Sequence, residues 1–302
     1  MNNNNQTIFI MMTNSICAML MAMVLSSCTI SASTDAKEVK EAIVPSKNYI
    51  TQKVNVENFE GIQTSTSIDV VYTQTTGETE VAIYAPDNLM EYVKVETTGD
   101  MLKIYFESKK KGKGLNINGK HETKVYVSAP AVHTLLASSS GDIYMKNGLQ
   151  YPGNVKIEAS SSGDVEGSNI VCEALNVQAS SSGDIEFGKV ECTSLVTEAS
   201  SAGDISIKDL KAETVSAEAS SSGDVSLKGV CQSATFEASS AGDIEADDLK
   251  AENVVAKASS AGDVTCYASE SLDVSISSAG EVGYKGKPKH IQGKTQGLHK
   301  MK

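Results

Sequence analysis

Arginine and tryptophan are both absent from the 302 residues of this chain. Without arginine there is no planar fork to grip phosphate or carboxylate in a bidentate way. Without tryptophan, and with aromatics at 5%, sugar-stacking platforms and interface anchors are scarce. The formal net charge of −12 argues against a nucleic-acid partner. Long hydrophobic runs are missing too, since the most apolar stretch, Ile16 to Leu25, is too short to cross a bilayer as a helix.

What is present is a repeat. Ala-Ser-Ser-Ser-Gly-Asp spans 159–164 and 179–184, and near-copies follow to the end of the chain. The closing acid falls at Asp142, Asp164, Asp184, Asp204, Asp224, Asp243, Asp263 and Glu281, at intervals of 22, 20, 20, 20, 19, 20 and 18 residues. So regular a period marks an architecture in which each unit buries its apolar face against its neighbours.

Superposed on the acid, the units show apolar columns. The next residue is always β-branched: Ile143, Val165, Ile185, Ile205, Val225, Ile244, Val264 and Val282. A second column holds Ile170, Val190, Leu210, Val230 and Leu249, followed two residues on by Cys172, Cys192, Ala212 and Ala251. Cys231 joins the latter if the 19-residue unit lost its residue just before. A third contains Leu175, Leu195, Val215 and Val254, then Val177, Thr197, Ala217, Phe236 and Ala256, with Thr197 its single polar member. Steps of two mark strands, and three short alternating runs per unit predict three strands. The expected fold is all-β, a parallel β-helix of about 20 residues per coil, roughly 34 Å long over the repeats. The Gly before each acid is expected to bend the corner by taking positive φ.

The chain begins with an address. The apolar run ends in Leu25-Ser26-Ser27-Cys28, which resembles the lipobox of bacterial lipoproteins and implies a signal peptide over 1–27, cleavage before Cys28 and lipid on that residue. No Lys or Arg precedes the apolar run, a departure from the usual signal. Residues 28–47 read as a flexible tether. Residues 48–137 alternate without the 20-residue period and are expected to form irregular β coils that cap the solenoid. The regular repeats occupy 138–284, and 285–302 is a basic C-terminal tail. The run Lys109-Lys110-Lys111-Gly112-Lys113-Gly114 is read as a solvated loop in preference to a polyanion contact.

The Cys-anchored leader, Phe59-Glu60-Gly61-Ile62 with Ile68-Asp69-Val70, Ala85-Pro86-Asp87-Asn88-Leu89 and the serial Ser-Gly-Asp-Ile repeats together resemble the putative auto-transporter adhesin, head GIN domain family of Bacteroidetes. The resemblance covers about residues 50–285. It implies a right-handed, pectin-lyase-like β-helix, a location in the cell envelope and an adhesive role, and it brings no catalytic residues.

The acid column poses the sharpest chemical question. Stacked carboxylates repel by roughly 0.9 kcal/mol per neighbouring pair in water. Turn chemistry, in which each Asp accepts backbone N–H groups at its own corner, is favoured here over a weak cation ladder of Ca²⁺. Serines such as Ser160, Ser161, Ser180 and Ser181 are expected to form hydroxyl ladders beside it. No catalytic residue, cofactor or metal is assigned; His121 and His133 precede the repeats, and His290 and His299 follow them. Cys172, Cys192, Cys231 and Cys266 read as buried free thiols, with a Cys172–Cys192 bridge as the alternative.

The functional expectation is a non-enzymatic outer-membrane lipoprotein that meets the membrane through its lipid and binds a protein or glycan through a repetitive face. A periplasmic scaffold or regulator that binds a protein partner is the alternative, since Thr29-Ile30-Ser31-Ala32-Ser33 lacks the early acidic pair associated with surface export. A polysaccharide-active enzyme is less favoured, because the acids repeat identically. Glu245, Asp247 and Asp248 are the nearest thing to a unique cluster and are read as solvated.

Overall fold

The computed structural model describes residues 42–109 and 114–302. The signal peptide, Cys28, most of the tether and Lys110 to Lys113 lie outside the described residues. Within them the alternation is realised directly: Leu175, Val177 and Ala179 are buried, while Asn176 and Gln178 between them are partly exposed. The outcome is a parallel β-solenoid of about eight turns. One ladder runs Val165, Ile185, Ile205, Val225, Ile244, Val264 and Val282. Another runs Leu175, Leu195, Val215, Ala234, Val254, Leu272 and Ile291. No helix among the described residues is long and apolar enough to cross a membrane.

The three expected strands per coil merge into two. The first two apolar columns lie on one bent strand, Val165–Val171, whose pairing with Ile185–Glu191 skips Ser168. That skip turns the strand and moves the inward phase from Val165 to Ile170. Further along, even the second corner is continuous, in the 15-residue strands Val225–Ser239 and Ile244–Ala258.

Core volume is shared between coils. Gly167 sits in register between Met145 and Phe187, and a Cβ there would lie 2.5 Å from Met145 Cε. Phe236 is likewise flanked by Ala217 and Ala256. Large beside small keeps the interior filled. Val230 departs from its expected column. The short unit lost a residue ahead of Gly229, so Gly229 pairs with Leu210 and Leu249, and Val230 turns outward at 47% exposure. Gly229 has φ +133°, and a Cβ on it would strike the Leu210 carbonyl. The same loss brings Cys231 into register with Ala251, as the columns require.

The N-terminal region is built from β1 (Tyr49–Val54), β2 (Gly61–Thr64), β3 (Asp69–Gln74), β4 (Glu80–Pro86), β5 (Val93–Thr98), β6 (Met101–Phe106), β7 (Lys124–Ala129), β8 (Thr134–Ser138) and β9 (Ile143–Met145). Its coils do not stack in chain order. The β2–β3 coil lies between the later β6–β7 and β8–β9 coils, since β2 pairs with both β6 and β8, and β3 with both β7 and β9. Antiparallel strands then close the open end: β5 pairs with β6, β4 with β7, and β1 with β4. This covers edges that a parallel stack would leave unpaired. At the far end, His290–Lys294 and Leu298–Lys300 continue the two ladders, carrying lysines that discourage further pairing.

Candidate binding surface

Each repeat turns at Ser-Ser-Ser-Gly-Asp or its Ser-Ser-Ala variant. The bend is made by residues other than the expected glycine. Ser161 and Ser162, Ser181 and Ser182, Ser201 and Ala202 and their counterparts hold φ between 52° and 65°, whereas Gly163, Gly183 and Gly203 are not in that region. Gly183 N–H donates to Ser180 O at 3.0 Å, closing a turn whose two central residues are left-handed. Glycine is required for close approach instead: a Cβ on Gly183 would sit 2.5 Å from Ser160 N and 2.8 Å from Gly163 O in the coil before. The corners therefore stack backbone on backbone. The serine column bonds through its main chain, with Ser162 N–H donating to Ser181 O at 3.3 Å, and hydroxyl ladders between Ser160 and Ser180 or Ser161 and Ser181 do not form among the described residues.

The acids form a ladder between coils, where bonds within each corner were expected. Asp142, Asp164, Asp184, Asp204, Asp224, Asp243 and Asp263 each accept, on Oδ1, the backbone N–H of the next acid at 2.9–3.0 Å, ending at Glu281. Return bonds run the other way, as Val165 N–H donates to Asp184 O at 2.9 Å. Charge-assisted bonds of this kind offset the stacking repulsion. Burial pushes the Asp164 carboxyl above its ordinary range despite the Asp184 N–H bond that favours its anion. The Tyr144 hydroxyl donates to Asp142 Oδ2 at 3.0 Å, and burial followed by that bond pushes the phenol upward. Among the described residues, no three or more His, Cys, Asp or Glu side chains are grouped so as to hold a metal ion.

One member of the column escaped the sequence reading. Asp69 directly precedes Val70, which is in register with Ile143 just after Asp142, and its carboxyl is raised chiefly by burial and the neighbouring Asp142 charge, with the Asp142 backbone N–H opposing the rise. Its corner is Thr66 and Ser67, both at positive φ, with Ile68 in the glycine position. The signal was the string Ser65-Thr66-Ser67-Ile68-Asp69-Val70, disguised by that substitution. Beyond Asp69 the register reaches Lys124, so the acid ladder starts against a cation.

The outward columns are polar and repetitive. Glu158, Gln178, Glu198, Glu218, Glu237 and Lys257 line up on one face. Exposed pairs such as Lys211–Glu191 at 2.9 Å and Lys257–Glu237 at 3.1 Å link neighbouring coils and contribute little individually. Aromatics concentrate on the N-terminal strands despite their overall scarcity. Tyr49 stacks on Tyr84 with centroids 5.1 Å apart, and Tyr126, 43% exposed, stands on the strand paired to that of Tyr84.

The remaining candidates for chemistry are engaged otherwise. Asp247 and Asp248 are not simply solvated: Lys285 Nζ lies 2.5 Å from one and 3.5 Å from the other. Cys172, Cys192, Cys231 and Cys266 are free thiols. Burial pushes them up to about 11, 12, 11 and 12 respectively, which leaves almost no nucleophilic thiolate at neutral pH. A hollow of about 190 Å³ opens beside Gly167, between Tyr144, Glu166 and Glu186. It reflects the missing side chain, and its two carboxylates are ordinary members of one outward column.

Residues 58–227 and 186–288 match the family described as putative auto-transporter adhesin, head GIN domain. No match is found among curated proteins. A putative adhesin from Parabacteroides merdae shares the fold at TM-score 0.65 and 19% identity, over 86% of this chain and 99% of its own. A putative lipid binding protein from Parabacteroides distasonis does so at TM-score 0.59 and 24% identity, over 87% and 100%. A putative adhesin from Bacteroides fragilis is 28% identical over 86% and 96%, at TM-score 0.49. With residues 58–288 covered by these two matches, the chain belongs to the putative auto-transporter adhesin, head GIN domain family.

Proposed function

We propose that this protein is a non-enzymatic envelope lipoprotein whose repetitive β-helical surface acts as an adhesion or binding module for a protein or glycan. The observation that carries the reading is the repetition of the outward columns. A partner meets a Ser-rich corner closed by an acid at each coil, beside a mostly acidic outward column, about 4.8 Å apart, on a backbone fixed by continuous ladders. Such a face suits many weak contacts summed along its length. An enzyme needs one place where a distinct acid, base or nucleophile converge, and the clustered acids Asp247 and Asp248 are held by Lys285. The family description supports an adhesive role. Lipid on Cys28 and the tether after it would hold the solenoid at the outer membrane.

Protease shaving of intact cells tests this, following an epitope after Lys302 with a periplasmic protein as control. Loss of the epitope while the control survives is the expected result. Protection until the outer membrane is broken would overturn adhesion and direct attention to a periplasmic partner, to be sought by crosslinking.

A further inference from the structure

The C-terminal coil carries charge of the opposite sign to the rest of the molecule. A hollow of about 480 Å³ opens there between Tyr267, Lys285, Lys287, Lys300 and Met301. Its walls are fixed by the main chain: Tyr284 is in register with Lys300, and Met301 N–H donates to Tyr284 O at 2.9 Å. Lys285 is held by Asp247 and Asp248. Lys287 and Lys300 have no acidic partner among the described residues, and Lys300 lies 6.0 Å from the Tyr284 ring centroid. Lys302 lines the hollow as well, so three ammonium groups without an acidic partner among the described residues share one concavity in a chain of net charge −12, and the repeats do not account for them. Edge protection explains lysines on the outermost strands, such as Lys294, but not their convergence on a hollow that also offers an aromatic ring and a thioether.

We propose that this hollow is an anion site for a phosphorylated ligand, held by Lys287 and Lys300 with its uncharged part against Tyr267 and Met301. Lysine ammonium groups bind phosphate as point charges, without the arginine fork this chain lacks. The phosphate could belong to a soluble phosphorylated molecule or to a lipid head group.

Calorimetric titration of the purified protein with inorganic pyrophosphate, together with flotation on phosphatidylcholine vesicles with and without phosphatidylglycerol, tests the site. The comparison is between Lys287→Gln/Lys300→Gln and the charge-matched control Lys189→Gln/Lys294→Gln, each checked for native circular dichroism. Saturable pyrophosphate binding that weakens about tenfold or more in the first double variant and less than about twofold in the control is expected. Flotation that follows the same pattern assigns the phosphate to a head group, whereas pyrophosphate binding without flotation assigns it to a soluble ligand. Equal weakening in both double variants would reduce the effect to net charge and overturn the site. Absence of pyrophosphate binding would overturn it as well, whether or not vesicles are bound.

Discussion

Thr197 occupies an inward position filled by Val177 and Ala217 in the adjacent coils. It is fully buried, and its hydroxyl has no hydrogen-bond partner among the described residues. Removing an unsatisfied buried polar group while keeping the branched shape recovers its desolvation penalty, so Thr197→Val should stabilise the fold by about 1–2 kcal/mol, read from urea midpoints at unchanged slope. The corner offers a paired test of what its residues do. Gly183→Ala should cost about 2 kcal/mol or more, because the new methyl meets the Ser160 backbone of the previous coil. Ser182→Gly, at φ 62°, should change stability by less than about 1 kcal/mol, since relief of left-handed strain and added unfolded-state entropy oppose each other. A glycine acting through positive φ would give the reverse order.

At the scale of the element, the acid ladder couples stability to pH. The folded carboxyls of Asp69 and Asp164 are raised above their ordinary range, mainly by burial, so the native state holds protons there that the unfolded chain has released. Their contribution is therefore fully present below the unfolded carboxyl range and is lost as pH rises through the raised folded values. Asp164→Asn keeps an acceptor for the Asp184 N–H and removes the charge. It should flatten this part of the stability profile across mildly acidic pH, as followed by urea unfolding at successive pH values. Asp164→Ala should instead destabilise by about 1–3 kcal/mol at every pH, because the Asp184 N–H loses its partner. The ladder shows which parts of the element are legible in sequence. The column of acids and the β-branched residue after each could be read from the period alone, because stacking forces like onto like. Whether an Asp bonds its own corner or the next depends on how closely the corners approach, a distance no spacing encodes. Asp69 was hidden by Ile68, and Val230 was misplaced because a single deleted residue can be absorbed on either side of a bend. The tyrosine cluster was illegible for a related reason, since antiparallel closure by β1, β4 and β7 joins residues far apart in the chain.

At the scale of the whole molecule, contacts run from coil to coil, so stability should behave as a sum of units and nearest-neighbour interfaces. This makes the period itself testable. Asp204 and Asp224 are 20 residues apart and joined by the ladder. Excising Asp204 to Gly223 would join Gly203 to Asp224, which restores the corner motif and sets Ile185 against Val225 and Phe187 against Leu227. Thr197 would then adjoin Phe236 in place of Ala217, a modest overpacking. The shortened protein should remain a cooperatively unfolding β-solenoid by circular dichroism, with a lower urea slope from the smaller buried area. Excising only Asp204 to Glu213 removes half a coil and sets the first column of one unit against the third of the next. At the junction Ile185 would still meet Val215, but Val190 would face Ser220 and Cys192 the corner residue Ser222, so strand would be set against turn, and this variant should fail to fold. If both deletions fold equally well, coil-to-coil register is not what specifies the structure; if neither folds, its coils are not interchangeable units, and a partner read as binding along repeated coils would have to be sought at one particular place.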